Sequence, residues 1–254
     1  MRKTIAIATL LVAAGCSGTS SSGSAASSAL TVFAASSLTA AFERIGSDFA
    51  AANPGITVTF NFGSSTDLAS QIQSEGTADV FASASGTAMD AVASDPGVAD
   101  RTDFATNRLV IVTPPDDPAG ISSIADLAKP GVQLVLAAKG VPVGDYARQA
   151  LTSAGLLSAA MQNVVSNEDD DASVVAKITS GEADAGIVYA SDVATAGNTV
   201  RSVTIPTAVN VVASYPIAVV AGSPQTEAAM SFLNEVIGVT GQATLKDSGF
   251  GPAA

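Results

Sequence analysis

Short apolar, β-branched runs alternate with stretches of helical periodicity along most of the chain, and that alternation leaves few architectures open. Leu30–Ala34 reads as a strand. Behind it Leu38, Phe42, Ile45 and Phe49 recur at helical spacing, one apolar face of a helix from about Ser37 to Asn53. Pro54-Gly55 ends that helix, and Ile56–Phe62 reads as the next strand. Leu68 and Ile72 mark a second helix ending near Gly76, before a short apolar strand at Val80–Ala82. The order β-α-β-α-β calls for a parallel sheet with crossover helices. A strand at Leu109–Thr113 is stopped by Pro114, Pro115 and Pro118, and the pattern restarts. Helices are expected at Ile124–Ala128, Asp145–Ser153 and Ala172–Ser180, interleaved with strands at Gln133–Ala137, Asn163–Ser166 and Gly186–Tyr189. Tyr215–Ala221 is a late strand and Gln225–Ile237 a long amphipathic helix. No repeat of fixed period is present. With 254 residues the chain has room for two domains of about 100–120 residues each. Two restarting α/β units predict two lobes, with a ligand site at the mouth between them.

The first sixteen residues read as an address. Arg2 and Lys3 precede Ile5–Ala14, a run apolar except for Thr9, too short for a span of about 20 residues. It ends in Ala13-Ala14-Gly15-Cys16, which resembles the lipobox of bacterial lipoproteins, although Ala13 stands where leucine is usual. That resemblance implies acylation of Cys16, the only cysteine, and anchoring to the outer face of the cell membrane. Residues 17–29 are rich in Ser, Gly, Ala and Thr, the composition of a flexible tether. Removal of Arg2 and Lys3 leaves nine basic residues against 23 acidic ones, a net charge of −14. So acidic a protein is repelled by nucleic acid and by anionic lipid surfaces.

The inventory excludes much chemistry. There is no histidine, so Ser-His-Asp and Cys-His machinery is absent, as is imidazole ligation of zinc or haem. One cysteine cannot form an internal disulfide. Neither G-x-S-x-G, S-x-x-K, a P-loop nor G-x-G-x-x-G occurs.

What recurs is a strand running into a helix through small hydroxyl residues. The first such turn holds Ser36 and Ser37, the second Ser64, Ser65 and Thr66. A helix N-terminus offers free backbone N–H groups and partial positive charge, so it binds anions without a cationic side chain. Alternatively these serines merely cap their own helices. A third loop, Val141–Tyr146, carries Pro142 to fix the turn and Gly144 to let backbone approach a ligand, or is a tight turn with Asp145 as N-cap. A fourth, Asn167–Ala172, opens a helix with an acidic run that suits a solvated N-terminus. Tyr189 ends a buried strand, and its hydroxyl needs a partner there.

In order along the chain stand "VFAASSLTAAF" (32–42), "FGSSTDLASQI" (62–72), "ADVFASA" (78–84), "VPVGDYARQAL" (141–151), "NEDD" (167–170), "GEADAGIVYASD" (181–192) and "YPIAVV" (215–220). From about Leu30 to Gly251 the chain resembles the substrate-binding proteins of bacterial molybdate ABC transporters. The resemblance implies an α/β, class II periplasmic-binding-protein fold: two lobes, each a mostly parallel sheet flanked by helices, joined by two crossing strands. Lobe 1 is expected at 30–112 plus 217–254, lobe 2 at 113–216. It also implies a monomer that captures molybdate or tungstate between the lobes and delivers it to a membrane permease. Neither catalysis nor a cofactor is implied, and molybdenum is held through its oxygens with no protein–metal ligand. Matched motif by motif, the ligand positions are Ser37, Ser65, Val143, Asp170 and Tyr189, with Ser36, Ser64 and Thr66 as neighbours. At Asp170 the family commonly has an apolar residue, so this carboxylate must point away from a dianion.

Fully deprotonated molybdate and sulfate ask for donors only, whereas monohydrogen phosphate favours a site with an acceptor. Ser37, Ser65, Val143 and Tyr189 can all donate. No Arg or Lys lies in the four loops; Arg148, a turn later, is expected on an outer helical face. Neutralisation would then come from helix dipoles and charge-assisted hydrogen bonds. A carrier of sulfate or another tetrahedral oxyanion is the alternative, and Asp169–Asp171 would suit an octahedral tungstate site. A hydrolase on a two-lobe scaffold is the remote one.

Overall fold

The computed structural model describes residues 28–253. The signal segment, Cys16 and nearly all of the expected tether lie outside the described residues.

β1 (Ser28–Ala35) pairs in parallel with β2 (Ile56–Gly63) on one side and β3 (Val80–Ala82) on the other. Between them run α1 (Thr39–Ala52) and α2 (Ser65–Glu75) as crossovers. The α1 stripe is buried as its spacing requires: Phe42 meets the rings of Phe60, Phe104 and Phe232 edge-on or tilted, with centroids 5.9–6.3 Å apart. Gly76 ends α2 in the left-handed region (φ 63°) and sends its N–H back to the Ile72 carbonyl.

α3 (Gly86–Ser94) follows, then β4 (Val98–Thr113), sixteen residues long. Only its last five residues read as strand in the sequence. The earlier part carries Asp100, Arg101 and Asp103 and breaks register with its partner at two irregularities, which hides the alternation. β4 changes neighbours along its length. Residues up to Arg108 pair antiparallel with β9 (Val212–Val220), and Leu109–Val112 pair antiparallel with β7 (Ala185–Tyr189). β8 (Arg201–Thr204) also lies antiparallel to the end of β4. β9 in turn pairs with β3, so the path of strands is β2-β1-β3-β9-β4-β7-β5-β6.

β5 (Leu134–Ala137) is parallel to β6 (Val164–Glu168) and to β7, a second parallel unit. Its helices are α4 (Pro142–Ser153), α5 (Leu157–Met161), α6 (Asp171–Thr179) and α7 (Ala190–Ala196). α4 starts three residues before the expected Asp145, because Pro142 at its first turn is preset for helix and Val141 takes the cap. Asp145 instead accepts the Gly140 N–H at 3.0 Å. The segment Ile124–Ala128 is a 3-10 helix, and Ser36–Leu38 forms a 3-10 turn ahead of α1. α8 (Thr226–Ile237) buries Phe232 and Leu233 against the α1 face, followed by α9 (Val239–Asp247). α3, α5, α7, α9 and β8 have no clear sequence signal: they are short or poor in large apolar residues, and tertiary contacts carry them.

Candidate functional site

The strand-to-helix turns that open α2, α4, α6 and α7, with the 3-10 turn after β1, meet at the carboxyl ends of their strands. They enclose a small cavity of about 10 Å3, far below the roughly 300–1,000 Å3 common for organic ligands. Ser36, Ser64, Ser65, Val143, Asp171 and Tyr189 all line it. The Thr66 hydroxyl donates to the Gly140 carbonyl at 2.7 Å, and the Tyr146 hydroxyl approaches the Ala84 carbonyl at 3.4 Å, tying the two parallel units together beside the cavity. A wider cleft of about 470 Å3, lined by Thr66, Ser85 and Tyr146 among others, adjoins it but contains no buried polar atom left unpartnered.

None of the four serines caps its own helix through its hydroxyl. Ser65 is buried, and its Oγ accepts the Ala84 N–H at 2.9 Å. The Ser36 hydroxyl donates to Oδ1 of Asp171. Ser37 does not line the cavity: its hydroxyl pairs with that of Tyr215 at 2.9 Å. The Ser64 hydroxyl is buried with no partner. Thr66 faces the wider cleft.

In the Val141–Tyr146 loop, packing already requires glycine at 144. A Cβ there would stand 2.3–2.4 Å from the carbonyl oxygens of Ala138 and Ala137. Arg148 is not simply on an outer face either. Its guanidinium donates to the carbonyls of Ala137 and Gly144 at 2.7 and 2.8 Å and to Oδ1 of Asn167 at 2.7 Å, bracing the ends of β5 and β6. No cationic side chain lines the cavity.

In the acidic loop the structure separates two neighbouring aspartates. Asp170 is the N-cap of α6 and accepts the Ser173 N–H at 2.8 Å, so its carboxylate turns onto its own helix. Asp171, one residue on, is 4% exposed and lines the cavity with Oδ2 unpartnered. The sequence named it only within Asp169–Asp171 as a carboxylate for an octahedral tungstate site, although an Asp-x-x-Ser cap at Asp170 would have placed the next residue at the first helical position. Burial raises its carboxyl above the ordinary value, opposed by hydrogen bonds to Asp192 and Ser36. Burial, then the charge of Asp171, pushes Asp192 well above its ordinary value too. Two buried carboxyls near one another resist carrying two charges at once. Tyr189, 1% exposed, has no partner for its hydroxyl. Burial first, and then nearby Tyr215 and Asp171, holds it well above the ordinary phenol value, so it stays a donor. Thus three unpartnered polar atoms, Ser64 Oγ, Asp171 Oδ2 and Tyr189 Oη, belong to side chains lining one small cavity.

Residues 30–251 match the family model described as bacterial extracellular solute-binding protein. The chain belongs to that family. This solute-binding protein is 41% identical over 222 residues to the molybdate-binding protein ModA of Mycobacterium tuberculosis, covering 87% of this chain and 84% of that one. Its fold is shared with the periplasmic molybdate-binding protein of Azotobacter vinelandii (TM-score 0.77, 22% identity, 87% and 98% of the two chains). The sulfate-binding protein SubI of M. tuberculosis shares it as well (TM-score 0.75, 19% identity, 89% and 87% of the two chains).

Proposed function

We propose that this solute-binding protein captures molybdate, with tungstate as a second ligand of the same shape, and hands it to the permease of an ABC importer. The observation that carries the reading is the small cavity lined by Ser64, Asp171 and Tyr189, each with a buried polar atom that has no protein partner. Unpartnered buried polar groups are costly, and a ligand that accepts from them offsets the cost. The Ser64 and Tyr189 hydroxyls and the free N–H groups of the α2, α4 and α6 N-termini supply donors around one centre. Without an arginine or lysine on the walls, charge is met by dipoles and hydrogen bonds, which suits reversible delivery. Likeness to molybdate-binding relatives supports the choice of anion. Ser65 Oγ, Val143 N–H and Tyr189 Oη are the ligand contacts this reading keeps from the sequence, together with Ser36 and Ser64 from the neighbours the sequence offered. The Ser37 and Asp170 backbones remain candidate donors behind them.

In the same reading the lobes meet along β4 and β9, the long pair that links the two parallel units. The mature chain acts as a monomer without catalytic activity, held outside the cell by acylated Cys16 on its Ser-rich tether. No helix among the described residues is long and apolar enough to cross a membrane. Replacement of Cys16 by alanine is expected to release protein to the medium or leave the precursor unprocessed; fractionation like wild type overturns the anchor.

Parallel calorimetric titrations of the mature protein with molybdate, tungstate, sulfate and phosphate test the ligand. Tightest binding of molybdate or tungstate is expected. Preference for sulfate moves the protein to the sulfate carriers whose fold it shares, and preference for phosphate makes Asp171 an acceptor for a protonated anion.

A further inference from the structure

A carboxylate facing a dianion repels it, and Asp171 lines the candidate oxyanion cavity with one oxygen unpartnered. Its Oδ1 is held by the Ser36 hydroxyl, which leaves Oδ2 as the atom free to meet a ligand. Asp192, at the start of α7, is the second buried carboxyl beside it, close enough for their charges to act on each other. The oxygens of Asp192 already accept: Oδ2 from the Tyr189 N–H at 2.8 Å, and Oδ1, weakly, from the Ser191 hydroxyl at 3.5 Å. The other ionisable groups around the pair are Asp170 in the same loop, Tyr189 at the end of β7, Tyr215 in β9 and Tyr146 in α4. None of the groups that perturb the Asp171 carboxyl is cationic. Arg148 is engaged with Ala137, Gly144 and Asn167. No cation therefore offsets two charges at Asp171 and Asp192, still less a third on the ligand, and the hydrogen bonds they accept oppose burial only in part.

We propose that Asp171 meets the bound oxyanion as a neutral acid, its Oδ2–H donating to a ligand oxygen, and that the second buried carboxyl of Asp192 beside it helps keep it protonated. This rests on the oxyanion reading above and adds a specificity-determining residue and a proton linkage to it. As a neutral acid Asp171 turns from a repulsive group into one more donor, alongside the Ser64 and Tyr189 hydroxyls. Burial of both carboxyls and their mutual charge favour the singly protonated pair, in keeping with this role. The ligand binds the protonated form, so affinity falls as pH rises. The fall reaches about tenfold per pH unit above the point where the empty pair loses its proton. A deprotonated dianion is favoured over an anion that needs an acceptor.

Molybdate titrations of wild type, Asp171→Asn and Asp192→Asn from about pH 6 to about pH 10 test this, with buffers of different ionisation enthalpy counting the protons taken up. Wild type is expected to weaken towards alkaline pH and to take up protons on binding. Asp171→Asn, a fixed N–H donor of the same shape, is expected to bind with a flat profile and no proton uptake. Asp192→Asn removes the like charge, so the onset of weakening moves to lower pH. A flat wild-type profile, or a slope that Asp171→Asn shares, overturns the proposal while leaving oxyanion binding intact. If Asp171→Asn fails to fold by thermal melting, the Asp192→Asn profile decides: an onset unchanged from wild type overturns it. Absence of binding to molybdate, tungstate and sulfate at every pH overturns this proposal together with the oxyanion reading.

Discussion

Asp126 and Asp171 are both buried aspartates in the first turn of a helix, yet their surroundings are opposite. Asp126 has every oxygen engaged. Its Oδ2 accepts from the N–H and hydroxyl of Ser122 and of Ser123 at 2.9–3.0 Å, and its Oδ1 meets Lys129 Nζ at 2.7 Å. Lys129 above all, with the Ser122 N–H next, holds this carboxyl well below the usual carboxylate range. Asp171 has one serine donor, a second carboxyl for a neighbour and an unpartnered oxygen in a cavity. A fully satisfied charge fixes a turn and has nothing left to offer. One left incomplete by the fold is available to a ligand, and the stability it forgoes measures that availability.

The comparison breaks if removing an unpartnered group costs stability instead of affinity. Tyr189→Phe should show the largest effect. Loss of one hydrogen bond to a charged partner is about 1.5–3 kcal/mol, a molybdate Kd weaker by roughly ten- to 150-fold. The melting temperature of the empty protein should hold or rise, since an unpartnered buried hydroxyl is removed. Calorimetry and melting of the same sample read both. Ser65→Ala is a milder companion, because its Oγ is already engaged by the Ala84 N–H; some loss of stability should accompany any loss of affinity.

Asp126→Ala is the mirror experiment. It should lower the melting temperature by removing the capping carboxylate, with molybdate affinity unchanged. Weaker binding in that variant would mean that the Ser122–Asp126 turn communicates with the cavity.

Acid and alkaline melts of the empty protein sharpen the contrast. Asp126 is depressed in the folded state, so its contribution is present above the unfolded value of about 3.9 and is lost as pH falls through the folded one. The Asp171–Asp192 pair is raised, so stability falls as pH climbs from the unfolded value towards the folded ones. Asp126→Asn should flatten the acid limb alone, and Asp192→Asn the limb above it. The smallest effect is expected at the exposed Arg101–Asp90 pair, 2.6 Å apart. Arg101→Gln should cost less than about 1 kcal/mol and leave affinity unchanged.

The sequence by itself determined the alternation of strands and helices, the two serine-bearing turns, the Val141–Tyr146 loop and Tyr189 at the end of a buried strand. All of these rest on local periods and on the chemistry of helix starts, which act within a few residues. The charged first half of β4 escaped it, since Asp100–Asp103 show no alternation until β9 lies alongside. So did the assignment of each hydroxyl. Ser37 is engaged by Tyr215, 178 residues away, Ser65 by Ala84, and Ser36 by Asp171, 135 residues away. Ser64 and Tyr189 are left without partners only because no other element reaches them. Likewise Asp170 and Asp171 are indistinguishable in an acidic run, until the cap at Asp170 turns one outward onto its helix and buries the other. Helix and strand follow from neighbours in the chain. Which polar atoms remain free for a ligand follows from distant segments converging, and only the tertiary structure decides that.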